Sequence, residues 1–195
     1  IKLTPKLNAL AVAAINSNDL RVRAAALEVD LAAYGLPKTS ATIDQLERQA
    51  SSANQATRIW ALWALGLMAN RGVETERVTQ FLIVRLSDPN EEIRHWAVEG
   101  LAYVGTDETI PPLMKAFRDD PSQLVRERAA CSVAQSGMLT QEQRMTIVPQ
   151  LLDFADDASL DPATRAFTFH ALRDITAQKF PDDATAWRTW YNTTR

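Results

Sequence analysis

Five arginines, Arg23, Arg58, Arg94, Arg126 and Arg165, recur along this chain at intervals of 35, 36, 32 and 39 residues, each in the same local setting. Self-similarity at a fixed period of this size is the signature of a repeat architecture, and it constrains the fold more than any other feature. Four residues before each arginine stands Asp19, Asn54, Asn90, Ser122 or Asp161. These are residue types whose side-chain oxygens accept from the unpaired amides of a helix's first turn. Three residues after the arginine come Ala26, Ala61, Ala97, Ala129 and Thr168; four after, Leu27, Leu62, Val98, Ala130 and Phe169; seven after, Asp30, Leu65, Leu101, Val133 and Leu172. Offsets of three, four and seven mark one face of an α-helix, so each unit holds a helix that opens at the cap and buries that face. Asp30 interrupts the column in the first unit, as terminal repeats commonly do.

An amphipathic segment precedes each of these helices, roughly at 7–15, 43–50, 78–86, 110–117 and 145–154. Pro89, Pro121 and Pro162 stand at the junctions, where proline is tolerated before or at a first helical turn. The unit is therefore a helical hairpin. One hairpin cannot bury its apolar face alone, whereas stacked neighbours share a continuous core. The expectation is an all-α superhelix forming one domain over residues 1–195, with hairpins at roughly 4–36, 40–71, 74–105, 107–138 and 140–178. A closing helix over 182–191 places Trp187, Trp190 and Tyr191 on one face, suited to capping the open end. About eleven helices and no sheet are expected.

The run Asp88-Pro89-Asn90-Glu91-Glu92-Ile93-Arg94-His95-Trp96-Ala97 resembles the signature of the HEAT repeat: an Asp-Pro turn, a β-branched residue followed by Arg, then Ala. Residues 122–129 and 161–168 repeat it more loosely, and the resemblance covers about residues 4–178. It implies an armadillo-like α-solenoid in which the arginine column and the turn aspartates form a structural ladder between units. The period is shorter than the ~40–47 residues of long HEAT repeats. It is closer to the compact HEAT-like units common in bacterial proteins. Such arrays serve many tasks, so the resemblance specifies fold far more than function.

Composition removes several function classes. The net charge of −3 lacks the Lys/Arg excess that duplex binding draws on, so nucleic acid is not expected as a partner. With Cys131 the only cysteine and His95 and His170 the only histidines, no intrachain disulfide and no Cys/His metal cluster can form. Asp119-Asp120, Asp156-Asp157 and Asp182-Asp183 lack calcium-loop spacing, and no Gly-rich phosphate loop is present. Neither metal nor cofactor is expected. No apolar run is long enough to span a membrane. The chain starts at Ile1 rather than Met, which fits either a removed leader, the slightly favoured reading and one implying an extracytoplasmic setting, or a fragment of a larger protein.

The candidate site is a stripe of side chains. At 100° per residue, the second, fifth and ninth residues after each arginine point away from the core. In the second unit these are Trp60, Trp63 and Leu67; in the third, Trp96, Glu99 and Tyr103; in the fourth, Arg128, Cys131 and Gln135. The resemblance puts such residues on the concave side. Trp60, Trp63, Trp96, Glu99, Tyr103 and Arg128 are thus the candidate partner-binding residues, for a protein or peptide bound by a monomer that performs no catalysis. Packing of the same rings between repeats is the plainer alternative. HEAT-like alkylpurine DNA glycosylases set an enzymatic alternative, with the tryptophans as stacking walls and Glu99 as the acid. A structural module of a larger protein is a third. Cys131 and His170 share one helical offset, five past the arginine, and could be neighbours without forming a catalytic pair.

Overall fold

The computed structural model describes residues 2–194, so the two end positions of the expected domain lie outside it. The first hairpin is α1 (Pro5–Ile15) and α2 (Leu20–Ala33); the second, α3 (Ser40–Gln49) and α4 (Gln55–Asn70); the third, α5 (Thr75–Arg85) and α6 (Glu91–Val104). A turn of 3-10 helix (Asp107–Thr109) leads into the fourth, α7 (Ile110–Asp119) and α8 (Gln123–Ala134). The fifth has α9 (Gln141–Thr146) and α10 (Val148–Asp156) before α11 (Pro162–Thr176), and α12 (Ala184–Thr193) closes the chain. No strand occurs among the described residues. The chain is an all-α superhelix. The helix expected at 145–154 is broken at Ile147, where Pro149 at the start of α10 has no amide to continue the ladder of α9. Counting α9 and α10 as one gives eleven α-helices among the described residues, the number expected.

The caps fall where side-chain chemistry demands. Asp19, Asn54, Asn90, Ser122 and Asp161 are the N-caps of α2, α4, α6, α8 and α11, and each accepts from a first-turn amide. The column three, four and seven residues after each arginine is buried, Leu62, Leu65, Ala97, Leu101, Val133 and Leu172 nearly completely. Asp30 is the exception. It is half-buried, and burial raises its carboxyl above the ordinary carboxylate range.

The second helices stack in order, α4 on α6, α6 on α8 and α8 on α11. Within this stack α4 and α6 approach backbone to backbone, so that a methyl on Gly66 would lie 2.3 Å from Gly100 O. Only glycine permits backbones that close. At the far end Trp187 is fully buried, its Nε1 donates to Pro181 O, and its ring meets Phe180 edge-on at 5.3 Å.

The first hairpin departs from this order. α2 packs along α1 but only lightly on α4. Its contacts reach far ahead in sequence. Arg23 donates to Gln135 O and Gly137 O beyond α8, Tyr34 meets Trp60 and Trp63 of α4, and Glu28 pairs with Arg71 at the end of α4. A helix 11 residues long between Arg23 and Tyr34 covers about 16 Å, at 1.5 Å per residue, which suffices to cross from α4 to α8. The hairpin lies across the second helices rather than continuing their stack.

Candidate functional site

The arginine column builds the edge of the array. Arg23, Arg58, Arg94 and Arg126 each donate to the carbonyl six residues earlier, at Ser17, Ser52, Asp88 and Asp120, and Arg165 donates to Asp157 O. Three also reach forward to the next hairpin. Arg58 pairs with Glu92 at 3.7 Å, Arg94 with Asp120 at 2.8 Å, and Arg126 donates to Thr164 Oγ1 at 2.7 Å. The Arg94–Asp120 pair is the most enclosed, with side chains 10% and 5% exposed. A shallow cavity of about 340 Å³ opens beside it, walled by Ile83, Leu86, Pro112 and Ala116 and rimmed by Lys115 and Asp119.

On the face of the second helices, Trp60, Trp63 and Trp96 are all partly exposed. Trp60 and Trp63 receive Tyr34 edge-on, at 6.0 and 5.8 Å. Trp63 meets Tyr103 at 6.3 Å, and Trp96 packs edge-on against His95 at 5.5 Å. Glu99 Oε2 accepts an ion pair from Arg128 Nε at 2.5 Å, joining α6 to α8. Burial raises the Glu99 carboxyl while Arg128 opposes the shift. Arg128 also donates to Ser136 Oγ. The six candidates therefore gather on three adjacent helices, but two expectations of outward direction fail. Leu67 is fully buried, and Tyr103 is only 7% exposed. Helical phase gives a direction from the helix's own axis; it does not tell what lies across it. Here Arg23 of α2 stands close enough to act on the Tyr103 phenol, whose pKa burial raises.

Cys131 and His170 line one small cavity of about 160 Å³ between α8 and α11, with Phe167 and Asp174. Burial raises the Cys131 thiol above its ordinary value, which disfavours the thiolate a nucleophile needs. No group of three or more His, Cys, Asp or Glu side chains suited to a metal ion occurs among the described residues.

Sequence periodicity passed over Arg144. It is buried on α9 and donates to Leu139 O, Ser132 O and Ser136 O. Burial lowers its guanidinium to about 10, with nearby Arg23 adding to the shift. Two arginines thus converge on the carbonyls that end α8. That is the negative end of a helix dipole and a natural cation site. The signal available in sequence was only a charged residue just after a Gly-containing turn, at no repeat offset.

Residues 43–134 match the family of HEAT repeats. The chain is similar in structure to a crystallised engineered protein, 17% identical, covering 97% of this chain and 86% of that one, with a TM-score of 0.45. It is also similar to a designed armadillo repeat protein, 19% identical, covering 88% and 83% of the two chains, with a TM-score of 0.44. No curated protein matches it in sequence. No helix among the described residues is long and apolar enough to cross a membrane.

Proposed function

Because the chain is a HEAT-like repeat protein, we propose that it is a non-catalytic scaffold that binds a peptide or a protein segment on the face of α4, α6 and α8. The supporting observation is the part-exposed Trp60, Trp63 and Trp96 beside the Glu99–Arg128 pair. Partly exposed tryptophans offer large apolar area at low entropic cost, and a charged pair at their edge fixes the orientation of an extended chain. The chemistry of the face favours binding over turnover. Glu99 is engaged by Arg128, and burial raises the Cys131 thiol above its ordinary value.

The test is selection from a random peptide display library on the full chain, followed by affinity measurement for the selected sequences. Trp96→Ala should weaken them by more than ~1 kcal/mol while leaving the thermal transition close to that of the parent. Selected peptides that bind Trp96→Ala and Glu99→Gln as tightly as the parent would overturn this face as the site. A Trp96→Ala protein that unfolds instead would assign the ring to packing.

A further inference from the structure

Resting on the reading of this face as a binding surface, we propose that the stretch from Trp60 and Trp63 to the turn after α8 is a helix-docking site. Its resident occupant is α2, and its external partner is an amphipathic helix that presents an arginine and an aromatic residue eleven positions apart.

The first argument is the way α2 is held. Arg58, Arg94 and Arg126 spend their forward donors on the next hairpin, whereas Arg23 gives Nη1 to Gly137 O at 2.5 Å and Nη2 to Gln135 O at 2.9 Å. Those carbonyls are fixed independently of Arg23. Gly137 sits at φ +71 so close to α6 that a methyl there would lie 2.2 Å from Ala102 O, and Met138 N donates to that same Ala102 O at 2.8 Å. The turn is therefore a preformed cup of carbonyls at a helix C-terminus, which suits a guanidinium. At the other end the pair Trp60 and Trp63 receives the edge of Tyr34. Between the two anchors, Ala26, Leu27 and Leu31 are buried. Steps of three, four, eight and eleven after Arg23 put these residues and Tyr34 on one stripe of α2, the spacing by which a helix is recognised in a groove.

The second argument is that the occupant is lightly attached. α2 packs mainly on α1, which touches little else. The hairpin keeps Leu7, Leu10, Val12, Val22, Val29 and Tyr34 exposed. α1 carries a single charged residue, Lys6, yet Ala11 is its only buried side chain. A segment with few buried contacts belongs to the low-stability end of a structure and opens first. Gly35, at φ +66, and Pro37 connect it to α3, which supplies a short link free of helix on which the hairpin can swing. An external helix of the same pattern gains the anchors that α2 vacates.

The experiment uses the full chain and a fluorescent peptide of residues 17–36. Its Ala-rich sequence, with Asp19 as cap and Gly35 as stop, favours a helix in isolation. In the R23A/Y34A variant of the full chain the resident helix loses both anchors. Peptide anisotropy should show one-to-one binding to this variant, about tenfold or more tighter than to the parent, whose site is occupied. A peptide bearing the same two substitutions should lose at least about tenfold in affinity for the variant. The proposal is overturned if residues 20–33 of the variant exchange their amide hydrogens freely and the peptide still fails to bind. It is equally overturned if those residues stay protected as in the parent, since α2 would then be a fixed part of the stack. A parent chain that is dimeric by light scattering, with the variant monomeric, would put a second copy's hairpin in the groove and overturn the external helix. Failure here leaves the Trp96-dependent selection untouched. Loss of that selection, with the peptide still bound, would reject the peptide face and retain the helix site.

Discussion

The stack of α4, α6 and α8 and the hairpin of α1 and α2 arise from one sequence repeat, with a side-chain cap of the same kind, the same arginine and the same alanine three residues after it. Their anchoring differs. In the stack, Arg94 meets the buried carboxylate of Asp120 on the next hairpin, and α4 and α6 touch backbone to backbone at Gly66 and Gly100. In the hairpin, Arg23 finds neutral carbonyls far along the chain, and the position that is Leu65, Leu101 or Leu172 elsewhere is Asp30. A repeat motif thus specifies the hairpin but not its place. Placement comes from the forward partner of the arginine and from the apolar completeness of the column. Where both are lacking, the hairpin is released from the array and rests on its face.

This contrast predicts the largest effect at the buried ion pair. Asp120→Ala removes the ion-pair partner of Arg94 and leaves its enclosed guanidinium with only the more distant charges of Glu91 and Asp88, and breaking a buried pair costs about 3–5 kcal/mol. Thermal or denaturant unfolding of the variant should show that loss in the main transition. A change within about 0.5 kcal/mol, as for an ordinary surface substitution, would mean that the stack is not held there.

Two leucines with equal burial separate the regions more sharply. Leu101 and Leu27 are both 0% exposed. Leu101→Ala should cost roughly 2–5 kcal/mol of global stability by leaving a cavity in the stack. Leu27→Ala should leave the main transition nearly in place, because the loss is confined to a unit that opens on its own. Hydrogen exchange resolves this: residues 20–33 should lose protection in Leu27→Ala while residues 91–104 keep it. Equal losses in the main transition would make the hairpin an integral member of the array.

What was legible in the sequence follows the same division. The five caps and the buried column were readable because each depends on side chains within one or two helical turns. The forward partners were not. Glu92, Asp120 and Thr164 occupy different places in their hairpins, and Gly137 O is a main-chain atom with no identity in sequence. The stripe Trp60, Trp63, Trp96, Glu99 and Arg128 could be placed on one face by phase alone. Leu67 and Tyr103 were misdirected by that phase, because what packs across a helix, as Arg23 does beside Tyr103, is set by residues distant in sequence that no periodicity encodes. The contact of Gly66 with Gly100 lay equally out of reach, since an isolated glycine within a helix reads the same whether or not a backbone approaches it.

The smallest expected effect tests why the hairpin is loose. Asp30 holds the place of a core leucine, is half-buried, and has its carboxyl raised by burial above the ordinary value of 3.8. A raised carboxyl means that the docked hairpin binds a proton more readily than the open one. Its contribution to docking is therefore fully present below the unfolded value and is lost as pH rises through the raised folded value. Protection of residues 20–33 should fall as pH climbs from below 4 through that window, after correction for intrinsic exchange rates. In Asp30→Asn this component should vanish, and the difference between the two proteins isolates the contribution of Asp30. Asp30→Leu goes further, because it restores the apolar column. Burying part of a leucine in place of a carboxylate should strengthen docking by roughly 1 kcal/mol, about a fivefold gain in protection. If the gain also raises the main transition, the hairpin has been drawn into the cooperative stack, and a single residue will have separated an array member from a displaceable one. If Asp30→Leu leaves protection unchanged at every pH, the missing forward partner of Arg23 alone accounts for the hairpin's position.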